Sequence, residues 1–205
     1  MNLDIRGLAG AAIALAMSIG SPASAATCGD VQFADTMNVN NAPLVLNGLG
    51  IRTATIFNVE VYIAGLYIPK KSVDAEAIIA ANQPWRLMLQ FVHDAGAADM
   101  RDALQQGFER VTDGNLAPLQ DRMDMLADQI VDIREGEYLS FTYDPKTASM
   151  TIDLNGRSGK IEGADFADAM LSMSLGPNPP NPTLKAGLLG GPCEAPPVET
   201  GPVGD

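Results

Sequence analysis

The chain has 205 residues, of which 46% are hydrophobic, and its 25 acidic against 13 basic side chains give a formal net charge of −12 at pH 7. A negative excess of this size repels phosphate backbones, which argues against a nucleic-acid partner. The length suits one domain with a sizeable core.

Residues 1–25 have the pattern of a cleaved secretion signal. Arg6 precedes an apolar run over residues 8–19, and Ala23-Ser-Ala25 has the small-x-small pattern of a cleavage site. The alternative is a membrane anchor, but a spanning helix needs about 20 apolar residues, more than this run offers. We therefore expect cleavage after Ala25, a periplasmic or secreted protein, a domain over residues 26–190, and no stable membrane insertion.

Two cysteines lie near opposite ends of the mature chain, Cys28 and Cys193, each among polar residues, glycine and proline. In an oxidising compartment such a pair predicts a disulfide that ties the termini to the body. A lipid-modified Cys28 is the alternative, although Ala-Ala-Thr27 lacks the usual pattern before it. Residues 191–205 are rich in proline, glycine and acid, which predicts a flexible tail held by Cys193.

The first half of the mature chain predicts strands. Gly48-Leu-Gly50 is interpreted as a turn before two strands over residues 51–67, with Asn58 between them. Residues 59–67 carry apolar side chains on both parities, as in a strand covered on both faces. A short helix capped by Ser72 is then expected to end at Ala81. Residues 85–92 predict a further strand.

The second half alternates helices with strands. Apolar side chains recur at helical spacing over residues 100–111 and again from about Ala117 to Ile133. The remaining predicted elements are strands at 138–143, 149–154 and 158–162, and helices at 165–175 and 183–189. This order predicts an α+β fold, an antiparallel sheet with helices gathered on one face.

Familiar catalytic and cofactor motifs are absent from the sequence. Gly48-Leu-Gly50 lacks the third glycine and the helix of a dinucleotide site, and Gly156-Arg-Ser-Gly-Lys160 lacks the first glycine of a phosphate loop. His93 is isolated at a predicted strand end, where a solvated imidazole is favoured over a metal ligand. The aspartates from Asp121 to Asp132 follow a helix face without a calcium loop. We therefore expect no cofactor and no metal.

Arg52 stands out because it begins a strand whose neighbours are apolar or neutral. A guanidinium there is costly unless an anion meets it. Two explanations of Arg52 are open: an ion pair with a nearby acid, for example Glu60 on the next strand, or a role in binding a ligand. Tyr62 on that strand could add a phenol beside Arg52 and complete a two-point grip on a carboxylate or enolate.

Methionines supply many of the predicted core positions. Flexible thioethers suit an adaptable apolar pocket, but core filling explains them equally well. The positions are Met88, Met100, Met123, Met170 and Met173.

Several segments together resemble the chalcone isomerase-like family, over about residues 46–190. The segments are Gly48-Leu-Gly-Ile-Arg52, Val61-Tyr-Ile-Ala-Gly-Leu-Tyr-Ile-Pro69, Ala103-Leu-Gln-Gln-Gly-Phe108, Asn155-Gly156, Phe166-Ala-Asp-Ala-Met170, Leu175-Gly176 and Leu184-Lys-Ala-Gly-Leu-Leu-Gly190. The resemblance implies an open-faced β-sandwich, with a large antiparallel sheet, a layer of helices on one face and a ligand cleft between them. It also implies that Arg52 meets the negative charge of a ligand.

The sequence departs from the pattern of the true isomerases. That pattern has a threonine at the position of Tyr62, and Tyr, Lys and Asn on the helix that here includes residues 99–106. An Arg and Tyr pair looks more like the carboxylate grip of the fatty-acid binders in the family. A tryptophan that related bacterial domains carry is Ser174 here, and we expect that change to affect helix packing without touching the site.

Three functions follow as hypotheses. The first is a non-catalytic periplasmic domain that binds a hydrophobic carboxylate such as a fatty acid through Arg52 and Tyr62. The second is a chalcone-flavanone isomerase-type intramolecular lyase in which Arg52 stabilises an oxyanion. The third is an envelope interaction module without a small ligand.

Overall fold

A computed structural model describes residues 25–55 and 57–195 of the chain. Its centre is a seven-stranded antiparallel sheet in the order β3-β4-β5-β6-β7-β8-β9, and β1 and β2 form a separate hairpin. The strands are β1 Ala25–Cys28, β2 Val31–Ala34, β3 Thr36–Val39, β4 Ala42–Ala54, β5 Val59–Ile68, β6 Trp85–Phe91, β7 Tyr138–Asp144, β8 Ser149–Leu154 and β9 Arg157–Glu162.

All the helices of the described chain contribute side chains to one core, against one face of the sheet. This arrangement confirms the predicted α+β fold. The helices are α1 Ala75–Ala80, α2 Ala97–Val111, α3 Gln120–Gln129, α4 Ala164–Leu175 and α5 Pro182–Leu188.

The sheet is covered on both faces where β5 runs, as the apolar residues on both parities of this strand predict. Ala64 and Leu66 belong to the core beneath the helices. Ile63 and Tyr67 alternate with them and belong to a second core on the opposite face, which also includes Phe33 of β2. Because successive side chains of a strand point to opposite faces, a strand buried on both sides must be apolar at every position.

The hairpin β1–β2 and the strand β3 are elements that the sequence interpretation missed. The predicted disulfide is present, and it joins Cys28 at the end of β1 to Cys193 near the C-terminus. Cys28 is buried, and Cys193 packs against the same second core. The hairpin and the C-terminal segment are thus fastened to each other on the face that the helices leave open.

The turn predicted at Gly48-Leu-Gly50 is wrong, because β4 continues through these residues. The strand pairing shifts by one residue between Leu46 and Gly48. Buried Asn47 occupies this bulge and binds the backbone of two other segments: it accepts from Ser72 N and donates to the carbonyls of Ser72 and Leu188.

The glycines are needed for packing rather than for a turn. A Cβ atom at Gly48 would collide with the carbonyl oxygen of Gly187, and one at Gly50 would collide with that of Leu184. Both carbonyls belong to α5, so helix and strand approach backbone to backbone. This close approach fixes α5, and the linker before it, against the sheet.

Two helix boundaries also differ from the predictions. Helix α1 starts after Asp74, whose carboxylate accepts a hydrogen bond from Ala77 N and caps the helix in place of Ser72. Helix α3 ends at Gln129, although Ile130 and Ile133 continue its apolar pattern. Both isoleucines are buried in extended chain, and Ile133 forms a β-bridge with Ala95. Burial alone therefore produced the apparent helical spacing there.

The proposed signal sequence falls, except for Ala25, outside the described residues, and so does the tail beyond Ala195. Both assignments stay predictions. Within the described part of the chain, no helix is long and apolar enough to cross a membrane.

Candidate ligand-binding site

Arg52 and Tyr62 lie directly opposite each other on neighbouring strands. Their Cα atoms are register partners in the antiparallel pair of β4 and β5. Opposite residues of such a pair project from the same face of the sheet. Both side chains line one cavity between the sheet and the helices. The structure therefore brings together the two residues that the sequence singled out.

The alternative partner of Arg52, Glu60, makes no salt bridge with it. The register shifts between Arg52 and Thr53, so Glu60 lies opposite Thr53 instead. The salt bridge found among the described residues joins Arg122 to Asp165, and it does not involve Arg52. Within the part of the chain that the structure describes, the ion-pair explanation of Arg52 is therefore wrong.

Arg52 is instead held by a neutral amide from the proline-rich linker before α5. Its Nη1 donates to Oδ1 of Asn181 at 2.9 Å. The same oxygen accepts from the backbone N of Thr53 at 3.1 Å, and Asn181 Nδ2 donates to Thr53 Oγ1 at 3.2 Å. These three bonds orient the amide and position the guanidinium without neutralising it. Only this one hydrogen bond of the guanidinium is found within the described chain, so most of its five N–H donors remain for a ligand.

Tyr62 is a half-buried hydrogen-bond donor beside that positive charge. Its ring packs at 5.5 Å between centroids against Phe91 of β6. Burial raises the pKa of the Tyr62 phenol above its ordinary value, and the nearby charge of Arg52 opposes that rise. The hydroxyl is therefore protonated at neutral pH, and it makes no hydrogen bond with any residue that the structure describes. It can donate to an anion that Arg52 attracts.

The cavity behind this pair is apolar and large. Its volume is about 690 Å³, within the range of roughly 300–1,000 Å³ typical of small-molecule sites. The sheet supplies its floor and helices α2 and α4 supply its roof. The main apolar lining residues are Val61, Leu87, Leu89, Leu139 and Phe141 from the sheet, and Met100, Leu104, Met170 and Met173 from the helices.

The methionines divide between this cavity and other parts of the core. Met100, Met170 and Met173 line it, whereas Met123 packs in the core below the helices and Met88 packs on the opposite face of the sheet. Ser174 also lines the cavity, so the expectation that this position does not touch the site is wrong. A serine here leaves space that the larger tryptophan of related domains would occupy.

Polar side chains lie along the exposed edge of the cavity. They include His93, which is exposed as predicted, and Arg110 on α2. The other polar lining residues at exposed positions are Thr55, Asp94, Asp99 and Gln106. In the part of the chain that the structure describes, no three His, Cys, Asp or Glu residues converge as a metal site would need.

Comparison with known families agrees with this architecture. A family model described as chalcone isomerase-like matches residues 25–190. The chain belongs to the chalcone isomerase-like family. No protein of curated description matches its sequence significantly.

Among solved structures, this chalcone isomerase-like chain is similar to the crystal structure of a fatty-acid binding protein from Arabidopsis thaliana. The TM-score is 0.65 at 15% sequence identity, and the match covers 81% of this chain and 96% of the plant protein. At this level of identity the similarity establishes a shared fold.

Asn181 and Arg110 are the site residues that the sequence interpretation of this family member missed. Asn181 lies in Pro177-Asn-Pro-Pro-Asn-Pro182, which the sequence marked only as a rigid linker. Neither residue has a local signal of function: Asn181 acts on the site only through its hydrogen bond with Arg52, and Arg110 reaches the cavity only through the packing of α2.

Proposed function

We propose that the protein is a non-catalytic binder of a long-chain carboxylate, such as a fatty acid, whose head group is held by Arg52 and Tyr62. The observation that carries this proposal is an uncompensated guanidinium directly opposite a protonated phenol at an apolar cavity of about 690 Å³. An amphipathic carboxylate matches both features, because its head group is an anion and its chain is apolar. The fold shared with a plant fatty-acid binding protein supports the same choice.

The chemistry of the head group favours binding over catalysis. Arg52 and Tyr62 both donate hydrogen bonds, so they stabilise a charge that is already present on a bound carboxylate. Isomerase activity would need further groups, and the expected Thr, Tyr, Lys and Asn of true isomerases are absent at the matching positions. Turnover of a chalcone that is lost in Arg52→Ala would instead establish the enzyme hypothesis.

The proposal includes export from the cytoplasm. Its support is the signal-like sequence of residues 1–25 and the disulfide between Cys28 and Cys193, since disulfides persist in oxidising compartments. N-terminal sequencing of the protein from its own cells tests this part; a chain that still begins at Met1 would contradict it.

The binding experiment is a titration of delipidated protein with a fatty acid and with the alcohol of the same chain length. Charged hydrogen bonds contribute about 1.5–3 kcal/mol, so Arg52→Ala should weaken binding of the acid by about 10- to 100-fold. It should leave the weaker binding of the alcohol nearly unchanged. The matched control is Arg157→Ala, which removes the same charge from an exposed position on β9 outside the cavity. Equal binding of the acid by the wild type and Arg52→Ala would contradict the proposal.

A further inference from the structure

The turn between β4 and β5 presents apolar side chains to solvent. Phe57 is 76% exposed and Val59 is 37% exposed, although Phe and Val are usually buried. Three other large hydrophobic residues are exposed in the described chain, and they lie elsewhere in sequence: Val73 before α1, Met125 in α3 and Val131 after α3. Phe57 and Val59 thus form a local apolar projection, which we call the Phe57–Val59 tip.

This tip borders the opening of the ligand cavity. Val59 itself lines the cavity, and so do Ala54 and Thr55 on the other side of Phe57. Thr55, Val59 and the nearby His93 are all exposed, so the cavity reaches the surface here. Phe57 lies in sequence between Thr55 and Val59, two exposed residues that line this opening.

The described residues of this turn include two with a left-handed backbone. Thr55 and Asn58 have φ angles of 65° and 51°, a left-handed conformation that is unfavourable for a β-branched residue such as threonine. Thr55 accepts a hydrogen bond from Asn58 N through its carbonyl oxygen and one from Phe57 N through Oγ1, both at 3.3 Å. These two hydrogen bonds tie Phe57 and Asn58 to Thr55 at the end of β4, and Phe57 is exposed there.

We propose that the Phe57–Val59 tip inserts into the surface of a zwitterionic phospholipid bilayer and places the cavity opening against the lipid. The idea rests on the proposed function: a fatty acid could then move between bilayer and cavity without exposing its chain to water, which is unfavourable in proportion to the apolar area exposed. Glu60 follows the tip, the aspartates Asp94 and Asp99 outnumber Arg110 at the opening, and the whole chain carries a net charge of −12. These charges disfavour anionic lipids and leave a zwitterionic surface as the partner.

Tryptophan fluorescence tests contact of the tip with lipid, independently of any ligand. The native tryptophan, Trp85, is buried and serves as an internal reference. The fluorescence of the Phe57→Trp protein should fall in phosphatidylcholine vesicles with brominated acyl chains, relative to unbrominated ones, and the wild type should not respond. The matched control is Val73→Trp, at an exposed position beyond the other end of β5. No bromine-dependent loss for Phe57→Trp, or an equal loss for Val73→Trp, would overturn the proposal.

A second measurement links lipid contact to loading. Replacing a phenylalanine that inserts into lipid by serine should weaken the vesicle encounter, so Phe57→Ser should slow fatty-acid uptake from phosphatidylcholine vesicles by about tenfold. Val73→Ser should not, and the affinity of both variants for monomeric fatty acid should equal that of the wild type. Unchanged uptake by Phe57→Ser would overturn the loading role. If the wild type bound no fatty acid at all, the proposed function would fail, while the bromine experiment would still decide whether the tip contacts lipid.

Discussion

Oδ1 of Asn181 accepts a hydrogen bond from Nη1 of Arg52 at 2.9 Å, so a neutral amide, rather than a carboxylate, positions the guanidinium at the cavity. This choice of partner keeps the positive charge available. A salt bridge in the same place would hold the side chain equally well but would compete with any anionic ligand.

The first prediction exploits that difference. Asn181→Asp adds a carboxylate beside Arg52 and should weaken fatty-acid binding by about 10- to 100-fold, the range expected for charged hydrogen bonds. Binding of the corresponding alcohol should change little. The control, Asn181→Ala, removes the neutral hydrogen-bond partner of Arg52, so it should lower the free energy of unfolding while reducing acid binding less than Asn181→Asp does. Calorimetric titration measures the binding of the acid and of the alcohol, and urea unfolding measures stability. Undiminished acid binding by Asn181→Asp would show that the new carboxylate and the fatty-acid carboxylate do not compete for Arg52.

The second prediction concerns the close packing of α5 on β4. Gly50→Ala forces a Cβ atom against the carbonyl of Leu184 and should lower the free energy of unfolding by about 1–3 kcal/mol, as overpacking does. Gly96→Ala is the control, since Gly96 has a φ of −69° and a Cβ there would come no closer than 3.4 Å to a neighbouring atom. Urea unfolding compares the two variants. Equal midpoints would mean that helix and strand can separate at little cost.

The third prediction concerns the disulfide that joins Cys28 to Cys193, residues 165 apart in sequence. In the chain-entropy model, a loop of this length stabilises the fold by about 4–5 kcal/mol. Reduction with dithiothreitol should therefore lower the urea midpoint strongly. The Cys28→Ser/Cys193→Ser double variant should start at the lower midpoint and show no response to the reductant. A wild type that is equally stable in both redox states would contradict this.

The fourth prediction concerns alkaline pH. Burial raises the pKa of Tyr67 to about 12, an effect that nearby Arg86 opposes and Asp35 reinforces. The folded state thus keeps its proton above pH 10, where tyrosine in the unfolded chain ionises. Stability is fully present below pH 10 and should decline between pH 10 and 12, because the folded state then binds more protons than the unfolded state.

The size of this decline should be roughly 1–2 kcal/mol once solvent near the hydroxyl is allowed for. Tyr67→Phe removes the hydrogen bond to Ala34 O, 2.9 Å long, and should be less stable at pH 8 but lose less stability on going to pH 11. Half-buried Tyr62 and buried Tyr143 retain part of the alkaline effect, since burial also raises their pKa values. Identical pH profiles of wild type and Tyr67→Phe would exclude Tyr67 as a contributor.

The sequence by itself determined most of the helices and strands from β5 onward, and it determined that β5 is buried on both faces, but it missed β1, β2 and β3. The apolar residues on both parities of β5 could be interpreted from strand geometry, which depends only on neighbouring residues. The pair of Arg52 and Tyr62 was also accessible, because a charge among apolar residues demands a partner wherever the strand lies.

Only the tertiary structure decided the rest. The register shift after Arg52 moves Glu60 away from it, and Asn181 reaches it across 129 positions of sequence because α5 packs against Gly48 and Gly50. From the local sequence alone these glycines predict a turn. Their close contact with α5 depends on residues more than 130 positions away, so no neighbouring residue indicates it. Long-range packing sets these contacts, and neither local propensity nor periodicity contains the information to predict them.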